Sequence, residues 1–76
     1  MSKPIVINYR NCKLAVYNKA LKQFDVLRIL DAFELEDLLW GIVPRITGKC
    51  EEIALAFENF IKEFGYKDTT VKVLKD

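Results

Sequence analysis

The sequence predicts a small α+β domain in which short terminal strands pair with each other and three helices lie between them. Apolar residues recur with helical spacing over Lys49–Phe64. Pro4–Tyr9 is rich in β-branched and aromatic residues, and Thr69–Leu74 alternates in polarity, so both segments are expected to be strands. They should pair because an isolated strand cannot satisfy its backbone polar groups. Residues 1–76 should form a single domain.

The segment Lys49–Phe64 is the central packing element of this prediction. On a helical projection its polar residues gather on one side, and the other side is apolar, comprising Cys50, Ile53, Ala54, Phe57, Phe60, Ile61 and Phe64. Gly65 can adopt the left-handed conformation that ends a helix, and Tyr66 would then fold back onto Ile61. We therefore expect all three phenylalanines to be buried.

The segment between the first strand and residue 30 allows two interpretations. Leu14–Leu27 projects as an amphipathic helix that Asn11 would cap. A β-hairpin through Cys12–Tyr17, turning at Arg10 and Asn11, is the competing interpretation and has the poorer alternation. Val26–Leu30 is then either the end of the helix or a third strand, which would give a βαβααβ order.

A second helix is expected to begin near Asp31. The run from Asp31 to Glu34 has the spacing of a capping box, and Leu30 and Leu35 are placed as its hydrophobic staple. Pro44 should end this helix, because proline disrupts a helix interior.

Composition excludes several kinds of chemistry. The chain has no histidine, which rules out His-dependent catalytic triads and makes a zinc site improbable. No run approaches the ~20 apolar residues of a membrane span, and the N-terminus lacks the apolar core of a secretory signal. We therefore expect a cytoplasmic protein without enzymatic activity, metal or cofactor, and without a membrane partner.

The two cysteines receive different predictions. Cys12 would lie at a helix start between Arg10 and Lys13, where the helix dipole and the cations favour a reactive thiolate. A strand followed by a cysteine at a helix start resembles the small sulfur-carrier proteins, although their Cys-Pro-x-Pro motif is here Cys12-Lys13-Leu14-Ala15. Cys50 should be a buried, inert thiol. A Cys12–Cys50 disulfide is possible, but it would be unusual inside a cell.

Charge is unevenly distributed along the chain. Residues 1–30 carry six basic residues and one acidic residue, whereas residues 31–76 carry six basic and ten acidic ones. The basic half could bind nucleic acid through Arg10, Asn18, Lys19 and Lys22, with Tyr9 as a stacking group. The strand face of Val6, Asn8 and Arg10 also suggests a ribbon-helix-helix arrangement. The net charge of only +1 argues against a nucleic-acid partner.

Elimination leaves surface recognition as the expected activity. We predict a small non-enzymatic binding or regulatory protein that recognises a protein partner and could act as a homodimer, which would bury additional surface. Its expected binding residues are the basic set above together with Leu55, an apolar residue on the charged side of the Lys49–Phe64 helix. Nucleic-acid binding through the basic half and sulfur transfer by Cys12 are the alternatives.

Overall fold

The structure, a computed structural model, describes residues 3–40 and 50–74, and within the first helix it describes side chains as far as residue 36. Its elements follow the order β1 (Ile5–Tyr9), β2 (Cys12–Tyr17), α1 (Gln23–Trp40), α2 (Cys50–Glu63) and β3 (Thr70–Val73). The predicted α+β class is confirmed, with two helices in the described residues where three were expected. The predicted stop at Pro44 lies outside them.

The chain begins with a β-hairpin, so the helix predicted over Leu14–Leu27 is wrong and the competing hairpin is confirmed. Tyr9 pairs with Cys12 across a two-residue turn, and Ile5 pairs with Val16. Arg10 and Asn11 both have positive φ, 50° and 66°, as the tightest hairpin turns require. Asparagine tolerates this conformation better than most residues, which is why Asn11 acts in a turn here instead of capping a helix.

Strand β2 is the middle strand of a three-stranded antiparallel sheet with the order β1-β2-β3. The predicted pairing of the two terminal strands with each other is therefore wrong. Each of them pairs instead with one side of β2. Leu14, for example, has Ile7 on one side and Val73 on the other. The extra strand proposed near residues 26–30 is also wrong, because this segment lies inside α1.

Helix α1 begins eight residues before the predicted capping box. Its start is marked by Asp25, whose carboxylate accepts a hydrogen bond from the backbone N–H of Lys22 at 3.1 Å. In a capping box the side chain of the third helical residue accepts a hydrogen bond from the backbone N–H of the residue before the helix, and this contact is that half of the motif. Asp31 is consequently an exposed residue in the middle of the helix and not its cap.

Helix α2 forms as predicted, and its apolar side is buried from Ile53 to Ile61. Gly65 has φ of 107°, and the N–H groups of Gly65 and Tyr66 donate to the carbonyls of Lys62 and Ile61. These two bonds are those of a Schellman motif, so the predicted helix end is confirmed. Phe64, however, lies beyond the last helical residue and is about half exposed, so its predicted burial is wrong.

The core lies between the helices and one face of the sheet. Phe33 of α1 is its centre, because its ring lies 5.1 to 5.5 Å from the rings of Tyr9, Phe57 and Phe60. Strand residues that alternate with Tyr9 complete it, including Ile7, Leu14, Val16 and Val71. The opposite face of the sheet carries no helix among the described residues.

Candidate functional site

The two cysteines are joined in a disulfide that ties the start of β2 to the start of α2. Cys12 is the first residue of β2 and Cys50 the first of α2, with Cα atoms 5.5 Å apart. Cys12 is only 2% exposed. The predicted helix-start position of Cys12 and the expectation of two free thiols are therefore wrong, and the sulfur-carrier alternative loses the exposed thiolate on which it depends.

The residues predicted to bind nucleic acid do not share one helix face. Arg10 lies in the hairpin turn, whereas Lys19 and Lys22 lie between β2 and α1 at the other end of the sheet. The six residues of β2 separate these ends by about 20 Å. Tyr9, the predicted stacking group, is 6% exposed and packs against Phe33.

Asn18 holds together two loops. Its side-chain oxygen accepts a hydrogen bond from the N–H of Ala20 at 2.7 Å, and its Nδ2 donates to the hydroxyl of buried Thr69 at 2.8 Å. The Thr69 hydroxyl in turn donates to the carbonyl of Tyr66 at 2.7 Å. These bonds give Asn18 a structural role in joining the chain after β2 to the chain before β3.

The uncovered face of the sheet, which we call the open sheet face, is polar and basic. The strand pairing places on it Val6, Asn8, Lys13, Ala15, Tyr17, Thr70 and Lys72. Lys72 lies over the Tyr17 ring at 5.8 Å, and Tyr17 and Thr70 also line a groove of about 490 Å³ at the end of the sheet. Every charged residue of the strands and the hairpin turn is basic, whereas the two helices carry nine acidic and two basic residues.

Leu55 is 58% exposed on α2, beside a groove of about 420 Å³ between this helix and β3. Glu58 lies in the same groove. Its carboxylate accepts the backbone N–H of Val71 at 2.9 Å and contacts Lys62 Nζ at 3.2 Å. An edge-strand N–H that is already paired is a poorer site for adding another strand. Leu55 is the one large apolar residue exposed within the helical residues of α2.

Among the described residues, helix α1 carries an exposed apolar surface that the sequence does not predict. Three large apolar side chains of α1 are exposed, namely Phe24 (69%), Leu27 (45%) and Leu35 (57%). Leu27 and Leu35 follow Phe24 by three and eleven residues, which places all three on one side of the helix. We call this surface the outer α1 face. Its signal in the sequence is a helix that is apolar on two opposite sides, typical of a helix covered on both.

A groove of about 340 Å³ runs beside the outer α1 face. It separates α1 from the end of α2 and is lined by Asp25, Arg28, Ile29, Ala32, Phe64 and Tyr66. The guanidinium of Arg28 lies 5.6 Å from the centre of the Phe24 ring. The exposed ring of Phe64 thus lines a depression that contains one positive and one negative side chain.

The described part of the chain contains neither a candidate metal site nor a candidate membrane span. No group of three or more Cys, Asp or Glu residues there could hold a metal ion, and no helix there is long and apolar enough to span a membrane. Comparison with protein-family models, curated proteins and solved structures gives no match. The exposed surfaces are therefore the features of the molecule that bear on its function.

Proposed function

We propose that the protein is a small non-enzymatic binding domain that recognises a protein partner through the outer α1 face. The exposure of Phe24, Leu27 and Leu35 along one side of a single helix is the observation that favours this function. Isolated exposed apolar residues are ordinary, but three large ones on the same side of one helix favour an interaction surface. Leu55 lacks such neighbours on α2, so we rank its groove second.

Site-specific photocrosslinking in the source cells tests this proposal. A benzophenone amino acid would replace Phe24, and separate variants would carry it at Leu55 and at the exposed turn residue Lys67. We expect protein adducts from position 24 and few from position 67. Adducts from position 55 alone would move the binding surface to α2, and the absence of adducts at position 24 would contradict the proposal.

A second candidate function, binding of single-stranded nucleic acid, is favoured by the open sheet face. Bases stack on exposed aromatic rings while lysines contact phosphates, and this face presents the Tyr17 ring beside Lys72 with Lys13 on the same strand as Tyr17. The site differs from the predicted one, because only the sheet brings these residues together. The +1 net charge of the whole chain still ranks this function below protein binding.

Fluorescence anisotropy with a labelled oligothymidine tests the second candidate. We expect Tyr17→Ala to weaken binding at low salt by about tenfold, and Lys13→Gln with Lys72→Gln to flatten the dependence of log K on log salt by about 1.4. Lys62→Gln, on α2 behind the sheet, should change neither quantity. Equal weakening by Lys62→Gln, or no binding at low salt, would contradict this function.

The disulfide argues against the cytoplasmic location predicted from the sequence. Disulfides persist mainly in oxidising compartments, and the Cys12–Cys50 bond joins the only two cysteines of the chain.

A further inference from the structure

The charges on the outer α1 face have a pattern that suits one particular partner. Arg28 and Asp31 are both exposed and lie between Phe24 and Leu35 along the helix. At 100° per residue all four fall within about 60° of one another around the helix axis. The face therefore has an apolar residue at each end and one charge of each sign in the middle.

This pattern is complementary to itself when the helix is reversed. In an antiparallel pair of identical helices, residues face each other when their numbers have a constant sum. The register that places Phe24 opposite Leu35 of the other helix also places Arg28 opposite Asp31. By symmetry this gives an apolar Phe24–Leu35 pair at each end of the contact, which we call the outer layers. The two Arg28–Asp31 pairs between them, which we call the inner layers, bring opposite charges together.

We propose that the partner on the outer α1 face is a second copy of this chain, bound as an antiparallel α1–α1 pair about a two-fold axis. The inference deepens the proposed function, on whose assignment of the outer α1 face it rests. Isologous interfaces of this kind are the commonest in soluble oligomers. Opposite charges in the inner layers fix the register, and the apolar outer layers exclude water from it.

The length of the outer α1 face limits the area that two copies can bury. The stripe from Phe24 to Leu35 is only about 17 Å long, whereas a stable interface generally buries more than about 1,000 Å² in total. We therefore expect the pair to be a weak one.

Charge reversal with rescue tests the antiparallel pair. Sedimentation velocity between about 1 μM and 1 mM would compare the wild-type chain with Arg28→Glu, with Asp31→Arg and with the double variant. We expect wild type to sediment at twice the 8.8 kDa chain mass. Each single variant should weaken dimerisation at least about tenfold, because it sets like charges opposite each other. The double variant exchanges the charges and should restore dimerisation.

Three outcomes separate failure of this inference from failure of the proposed function. A wild-type chain that stays monomeric at about 1 mM, or a double variant no tighter than the single ones, overturns the antiparallel pair. Photocrosslinks from position 24 that contain only another protein overturn the pair but leave the outer α1 face as a binding surface. Lys67→Glu, at an exposed turn outside this face, is the matched charge reversal and should dimerise as wild type does.

Discussion

Reducing the Cys12–Cys50 disulfide is expected to lower the free energy of unfolding by about 4 kcal/mol. The bond joins residues 38 positions apart, and the chain-entropy estimate for closing a loop of that length in the unfolded state gives this value. Domains typically have about 0.05–0.15 kcal/mol of stability per residue. A 76-residue chain would therefore lose a large part of its total stability.

Urea unfolding followed by far-UV circular dichroism, with and without a phosphine reductant, measures this effect. At the midpoint of thermal unfolding the same loss corresponds to about 15–30 °C for a domain of this size. The Cys12→Ala, Cys50→Ala double variant is the control, since it should have the stability of the reduced protein and no response to reductant. Identical urea midpoints for the oxidised and reduced wild type would contradict the prediction.

The disulfide also illustrates which features the sequence could not predict. Two single cysteines 38 residues apart have no motif, and only the fold brings the starts of β2 and α2 within bonding distance. The same holds for the open sheet face, where the pairing of β2 with β3 brings Lys72 beside Tyr17. Features of this kind depend on contacts between segments distant in sequence, which local periodicity does not contain.

Local periodicity succeeded where one side of an element is polar. Helix α2 was predicted together with its Gly65 end, because its charged and apolar residues separate cleanly around the axis. Helix α1 is divided into two predicted elements, because the exposed residues Phe24 and Leu27 fit the apolar arc predicted over Leu14–Leu27. The buried residues Ile29 and Leu30 then fall on the polar side of that arc. The wrong division of α1 and the proposed binding surface thus have the same cause. On a helix with two apolar sides, the periodicity of apolar residues does not show where the helix begins and ends.

The residues of β2 satisfy both the alternation of a strand and the apolar arc of a helix. Leu14 and Val16 are two residues apart, so both point to one side of a strand, yet with Tyr17 and Leu21 they also fit a helical arc. The turn at Arg10 and Asn11 decides between them, because it places five consecutive residue pairs in register. Residue propensity does not decide between them, because Val16 is the only β-branched residue of Cys12–Tyr17.

Phe57→Ala is expected to destabilise the protein by about 3–5 kcal/mol, an effect comparable to loss of the disulfide. The Phe57 side chain is 0% exposed and packs against Phe33 with ring centres 5.1 Å apart. Removing the ring leaves a cavity between α2 and α1 that close-packed neighbours can fill only in part. A small single core has little surplus stability, so the variant should be largely unfolded once the disulfide is also reduced.

The matched control lies two residues away on the same helix. Leu55→Ala removes an exposed apolar side chain from α2 and should change the free energy of unfolding by no more than about 0.5 kcal/mol. Both variants keep helix propensity at least as high as wild type, because alanine is the best helix former. Any difference between them therefore reports burial. Equal urea midpoints for the two variants would show that α2 does not bury its phenylalanine side, and the assignment of the outer α1 face would lose its structural basis.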